Sequence, residues 1–260
     1  MDDPSILLTN DDGIDSVGFR ALYDALDTVG SVTAVAPKND QSAVGRSMSH
    51  EVTLEEHELG YAVAGTPTDC VVAGLGSLCP DTDIVVAGCN KGANIGSYVL
   101  GRSGTVSAAV EAAYFDVPAI AVSMYIPASD NWREQATDPQ DYRNATEAAT
   151  YLIKHSVDAG VFEQVDYLNV NAPLFNGTVA PIEVTTPSRW YKMGAEKNGS
   201  TVAIKDYIWE QMRDGTIPDP EGYDRRAIME GRVSVSPLTA PHTAEHHEAL
   251  DGLAAAYKDC

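Results

Sequence analysis

The chain has 260 residues, 44% of them apolar, with 38 Asp and Glu against 17 Lys and Arg for a formal net charge of −21. A chain of this size buries roughly 70–75% of its unfolded surface, enough for one large core, and no apolar run approaches the ~20 residues of a membrane span. A phosphate lattice needs a basic face, which excludes duplex nucleic acid as a partner, and the acidic start at Asp2 and Asp3 lacks the basic segment of a secretion signal, so a cytoplasmic setting is expected. The acid excess is not confined to a tail. Residues 1–125 carry 17 acidic and 5 basic side chains, and residues 126–260 carry 21 and 12. A surface acidic throughout suits a protein working in concentrated salt, where screening removes self-repulsion.

The run Ser5–Thr9 (SILLT) reads as a buried strand. Ser16 is placed to cap a helix over residues 17–28, whose Phe19, Leu22, Tyr23 and Leu26 share one face. Residues 32–36 form the next strand, ended by Pro37, and 45–64 alternate as a hairpin excursion. Thr66 or Thr68 opens a helix to about Leu78. Strands over 83–87, 118–123 and 165–170 then alternate with helices over 104–115 and 141–158. Such alternation predicts an α/β fold, a Rossmann-like, mostly parallel sheet with helices on both faces. The apolar runs lack period-two alternation, as strands buried on both faces should. Beyond residue 175, prolines punctuate short strand-like pieces such as VAPIEVTT and VSVSPL. The expected organisation is a catalytic core over 1–174, a smaller β-rich extension over 175–240, and a terminal helix within 241–260 that packs back. Cys70, Cys79, Cys89 and Cys260 have no metal-site spacing and read as free thiols of a reducing compartment.

The polar candidates follow the predicted strands, where an open parallel sheet places its ligand crevice. The first strand leads into Asn10-Asp11-Asp12-Gly13, the second into Pro37-Lys38-Asn39-Asp40-Gln41-Ser42, and the third into a Gly-rich loop with Asn90 and Asn94. Adjacent carboxylates repel unless a cation lies between them, and a hard divalent ion suits oxygen ligands. Asn-Asp-Asp-Gly is also good turn chemistry. Ser103-Gly104-Thr105 precedes a helix, where the same residues can cap it or hold a phosphate at its N-terminus. Neither GxGxxG nor GxxxxGK[ST] occurs. An NAD-type oxidoreductase is disfavoured as well, because carboxylates after the first strand would repel a pyrophosphate. His242, His246 and His247 read as helix-surface residues, and His50 and His57 as hairpin residues without an assigned partner.

The segments ILLTNDDGIDSVGFRAL, VAPKNDQSAVGRS, GTPTDCV, DIVVAGCNKGANIG, SGTVSAAVEAA and VPAIAVS, with DRRAIMEGRVSVSPL more weakly, span residues 6–238. Together they resemble the survival protein E (SurE) family of nucleotidases. The resemblance implies a Rossmann-like core with a β-rich extension and divalent-metal-dependent hydrolysis of nucleoside 5′-monophosphates, and also of 3′-monophosphates. It implies one Mg²⁺ or Mn²⁺ per subunit held by Asp11, Asp12, Ser42 and Asn90. Asp11, Asp12 and Asn90 would be catalytic, and Asn94, Ser103, Gly104 and Thr105 would lie on the phosphate side. A homodimer or homotetramer with exchanged arms is implied too. Arg46 stands where the family often has His, and Cys89 where it has an aliphatic residue; Arg46 offers bidentate phosphate binding. The alternative is a nucleotide-binding stress protein without turnover.

Salt dependence follows from composition. The Debye length falls from ~30 Å at 0.01 M to ~3 Å at 1 M, so salt should relieve repulsion that folding concentrates. The melting midpoint is expected to rise in a series from about 0.1 to about 3 M KCl at constant Mg²⁺. A flat or falling midpoint would leave the protein merely acidic.

Overall fold

Apolar side chains at both parities of the central strands are buried, which forces helices onto both faces of one sheet. The computed structural model describes residues 3–127, 134–157, 159–240, 242 and 248–256. The elements in chain order are β1 (Ser5–Thr9), α1 (Val17–Leu26), β2 (Ser31–Pro37), β3 (Leu54–His57), β4 (Gly60–Val63) and α2 (Pro67–Ala73), continued by a π turn (Gly74–Leu78). Next come β5 (Ile84–Lys91), α3 (Ser97–Leu100), α4 (Gly104–Ala113), β6 (Ala119–Tyr125), α5 (Arg143–Ser156) and β7 (Tyr167–Pro173). The chain ends with β8 (Ile182–Val184), β9 (Met193–Asn198), β10 (Thr201–Asp206), α6 (Tyr207–Arg213), α7 (Asp224–Met229), β11 (Val233–Leu238) and α8 (Glu248–Ala256).

Nine strands make one sheet in the order β3-β4-β2-β1-β5-β6-β7-β11-β8. Those from β4 to β7 run parallel, while β3 lies antiparallel to β4 and β11 antiparallel to β7. Because β2 and β5 lie on opposite sides of β1, the strand order reverses there, and a crevice opens at the carboxyl ends of β1 and β5. In β1, Ile6 and Leu8 face the layer of α1 and α5, with Phe19, Leu22, Leu26 and Ile153. Leu7 faces the layer of α2 and α4, with Val71, Val106 and Ala109. Each fully buried Leu or Phe contributes roughly 1.5–3 kcal/mol. A third cluster joins Ala93 and Ile95 of the loop after β5 to Ile208 and Met212 of α6 and Ile228 of α7.

Several expectations are revised. The third strand does not stop at 87 but continues to Lys91 through an irregularity between Ala87 and Asn90, so Asn90 is a strand residue paired with Ser123. Within the β-rich extension, β8 and β11 join the main sheet, and β9 and β10 form a hairpin of their own. Ser16 occupies the N-cap of α1 without a side-chain cap bond; its Oγ accepts from Asn10 Nδ2 at 3.0 Å. Thr66 caps α2 in a reciprocal box with Asp69. Of the terminal segment, Glu248–Ala256 is helical, with Leu250 and Leu253 exposed by 64% and 70%. His246, His247 and Cys260 lie outside the described residues. Cys70, Cys79 and Cys89 are free thiols.

Gly18 shows how tightly α1 is seated. A Cβ there would meet the Cys89 carbonyl oxygen at 2.4 Å and Tyr142 Cε1 at 2.5 Å. In an exposed helix Gly→Ala stabilises by ~1 kcal/mol, but overpacking costs about 1–3 kcal/mol. Gly18→Ala is therefore expected to lower the melting midpoint, by roughly 2–6 °C. An unchanged or raised midpoint by circular dichroism would show that the helix is not so closely packed.

Candidate active site

Asp11 leaves the end of β1 and meets the N-terminus of α4. Its Oδ1 accepts from Thr105 Oγ1 at 2.6 Å and its Oδ2 from the Thr105 N–H at 3.2 Å. Gly104 permits this approach, since a Cβ there would stand 2.8 Å from Asp11 Oδ2. Asp11 is only 4% exposed. Burial raises its pKa more than the Thr105 hydrogen bonds lower it. Asp12 Oδ2 accepts from the Lys91 N–H at 2.7 Å. Burial first, then the Asp11 charge, pushes the Asp12 carboxyl up to about 7. The second loop is tied in by the Gln41 N–H, which donates to the Asp11 carbonyl at 2.7 Å.

The expected residues do not all face one space. Asp11, Ser42, Asn90, Asn94 and Ser103 line a cavity of about 400 Å³, together with Lys91, Arg102, Asp206 and Trp209. Asp12 lines an adjoining cavity of about 260 Å³ with Asp40, Lys91 and Tyr142. Ser42 is exposed, and its Oγ donates to Asp40 Oδ1 at 2.6 Å. Asn90 Nδ2 donates to the Gly92 carbonyl at 2.5 Å, which leaves the amide oxygen as the end free to act as a ligand. Asn94 is buried, with Nδ2 on Ser123 Oγ at 2.9 Å and its N–H on Asn171 Oδ1 at 2.8 Å. Ser103 caps α4 through Val106 N–H at 3.1 Å. Thr105, expected on the phosphate side, directs its hydroxyl and N–H to Asp11. Arg46 also turns away, pairing with Glu111 at 2.8 Å and lying 4.4 Å over the Tyr114 ring. His57 has neighbours, with Nε2 3.5 Å from Asp15 and Nδ1 accepting from Leu59 N–H.

This geometry, two carboxylates at a switch point facing a helix N-terminus, can be set beside known proteins. Residues 6–194 match the family described as Survival protein SurE. The chain belongs to the SurE family. It is 66% identical over 260 residues to the 5′-nucleotidase SurE of Haloarcula marismortui, covering 99% of this chain and 97% of that one. It is 62% identical to the 5′-nucleotidase SurE of Haloquadratum walsbyi, with 98% and 97% covered. Both come from halophilic archaea, in keeping with the acidic composition. The crystal structure of the SurE protein from Aquifex aeolicus shares 28% identity with a TM-score of 0.76, covering 99% of this chain and 100% of that one.

Sequence reasoning missed several groups that this SurE chain places in the cavity or behind it. Asn169 and Asn171 sit fully buried on β7, and both Nδ2 groups donate to the Asn94 carbonyl, at 2.9 and 3.1 Å. A signal existed: two amides at i and i+2 in an apolar strand are inward-facing polar groups that need partners. Arg102, Asp206 and Trp209 carried no motif, and the last two lie beyond the SurE-matching residues.

Proposed function

We propose that the chain is a phosphatase that hydrolyses nucleoside 5′-monophosphates, and also 3′-monophosphates, to nucleoside and inorganic phosphate. The observation that carries this reading is the pair of adjacent carboxylates at the switch point, on which three loops and the N-terminus of α4 converge. The 66% identity to a 5′-nucleotidase SurE supports it. The three free thiols suit a reducing, cytoplasmic setting. No described helix is long and apolar enough to cross a membrane.

The residues fit one divalent cation. Asp11, Asp12, Ser42 and Asn90 would hold it and offer only oxygens, the preference of Mg²⁺ and Mn²⁺. Among the described residues no three His, Cys, Asp or Glu gather at one point, so two carboxylates, two neutral oxygens and water would complete the set. Two acids whose pKa values burial raises, with the Asp11 charge raising that of Asp12 further, gain most from such an ion. When bound, the ion supplies Lewis-acid neutralisation of the phosphoryl charge. The protein's own groups do the rest. Thr105 orients Asp11, and the Lys91 N–H orients Asp12. Asn94, fixed by Ser123 and Asn171, presents its side chain to the phosphate oxygens with Ser103. The Gly104 N–H adds the positive end of α4.

The hairpin of β9 and β10 stands apart from the main sheet and exposes Val202 by 56% and Ile204 by 76%. An apolar arm of this kind supports a homodimer or homotetramer with exchanged arms.

Phosphate release from AMP is expected to require divalent metal and to stop with EDTA. Asp12→Asn, nearly isosteric, should cut turnover by about two orders of magnitude or more with the fold intact, as expected for loss of a metal-oriented charge. Wild-type turnover in that variant at saturating Mn²⁺ would remove Asp12 from the site. Light scattering in high salt should give a multiple of 27.7 kDa; the monomer mass would exclude the exchanged arm.

A further inference from the structure

The cavity that holds Asp11 and Asn90 also carries two planar π groups, a guanidinium and an indole, that phosphate chemistry does not require. Arg102 and Trp209 both line it. The Arg102 guanidinium lies 4.1 Å from the Tyr98 ring centroid. Tyr98 stacks in turn on Tyr191, with centroids 4.7 Å apart and planes 6° from parallel. The two tyrosines set the plane of an otherwise exposed arginine and cover one of its faces. Trp209 comes from a separate element, α6, and packs against the cluster of Ile208 and Met212. A phosphate or a ribose has no π face for such groups to recognise, whereas a nucleobase does. At about 400 Å³ the cavity falls within the range of small-ligand sites.

We propose that Arg102 and Trp209 form the nucleobase subsite and favour a purine, whose larger π face covers more of both planes. Tyr98 is a positioning residue that acts through Arg102. The inference rests on the nucleotidase reading and names the part of the substrate that reading leaves open.

The test compares hydrolysis of AMP, UMP and ribose 5-phosphate by the full chain in high KCl with Mn²⁺. Wild-type kcat/KM is expected to fall in that order. Trp209→Ala and Arg102→Ala should each raise KM for AMP about tenfold, the scale of one lost base stack, while kcat/KM for ribose 5-phosphate stays within about twofold. Trp209→Phe should restore most of the AMP affinity, and Tyr98→Ala should mimic Arg102→Ala in weaker form. Arg102 is exposed, so its variant decides the matter if Trp209→Ala does not fold. Equal losses on AMP and ribose 5-phosphate would assign these residues to phosphate binding or to folding and overturn the proposal. Equal wild-type use of all three substrates would overturn it and leave the phosphatase reading standing. No phosphate release from any substrate would remove the nucleotidase reading instead. Quenching of tryptophan fluorescence by adenosine then decides the subsite: quenching lost in Trp209→Phe and Arg102→Ala upholds it, and quenching retained in both overturns it.

Discussion

Two carboxylates adjacent in sequence and buried at the end of β1 are the constraint around which the site is built. Taking a carboxylate out of water costs several kcal/mol, and a hydrogen bond to a charged group returns only about 1.5–3 kcal/mol. Asp11 receives two such bonds, both from Thr105, and Asp12 one, from Lys91. The returns do not cover the cost, and both carboxyls sit above the ordinary carboxylate range. Each supporting feature can be read as a partial compensation. Gly104 lets the end of α4 touch Asp11, β5 runs on to Lys91 so that its N–H reaches Asp12, and Gln41 ties the second loop to the Asp11 carbonyl. The remaining imbalance is what a divalent ion would remove, so the same burial that weakens the fold locally suits the proposed cation.

The β-rich part serves that site by holding the loop after β5. Asp224 and Arg225 are both buried. Asp224 accepts from the Gly96 N–H at 2.6 Å and the Ser188 N–H at 3.0 Å, and Arg225 Nη1 donates to Ser188 Oγ at 3.0 Å and the Trp190 carbonyl at 2.5 Å. Gly96, at φ +80°, is the residue that permits the contact, because a Cβ there would lie 2.1 Å from Arg225 Nη2. Breaking a buried, hydrogen-bonded charge network of this kind costs about 3–5 kcal/mol. Segment 188–191 thereby joins the loop after β5 and carries Tyr191 against Tyr98, while Asp206 and Trp209 of the same extension line the cavity.

Much of this was legible in the residues. β1, β2, β6 and β7 are apolar runs that burial on both faces explains, and Asp11-Asp12 marked the site because adjacent charges at a strand end demand a reason. What stayed hidden depends on pairing across long stretches of chain. β11 lies beside β7 through contacts between residues about 60 to 70 apart, and periodicity carries no information about such register. That the Thr105 hydroxyl and N–H meet Asp11 is likewise a fact of tertiary structure that a helix N-terminus in the sequence does not announce. The end of β5 was misplaced because Gly88 and Gly92 look like loop, whereas the strand passes through Gly88, where a Cβ would meet the Val122 carbonyl at 2.2 Å.

Charge distribution links the surface to the site. Residues 1–125 contain five cationic side chains. Arg20 is held by Asp15 and Glu58, Lys38 by Glu55 and Arg46 by Glu111. The other two, Lys91 and Arg102, line the cavity with Asp11 and Asn90. A chain of net charge −21 repels an anionic nucleotide over any distance that the field survives. In molar salt that distance shrinks to ~3 Å. Only the nearest charges then act on the substrate, and these include the two cations. High salt thus does more than permit the acidic surface: it confines the repulsion that a phosphate meets to the few carboxylates beside it, Asp11 and Asp206 among them.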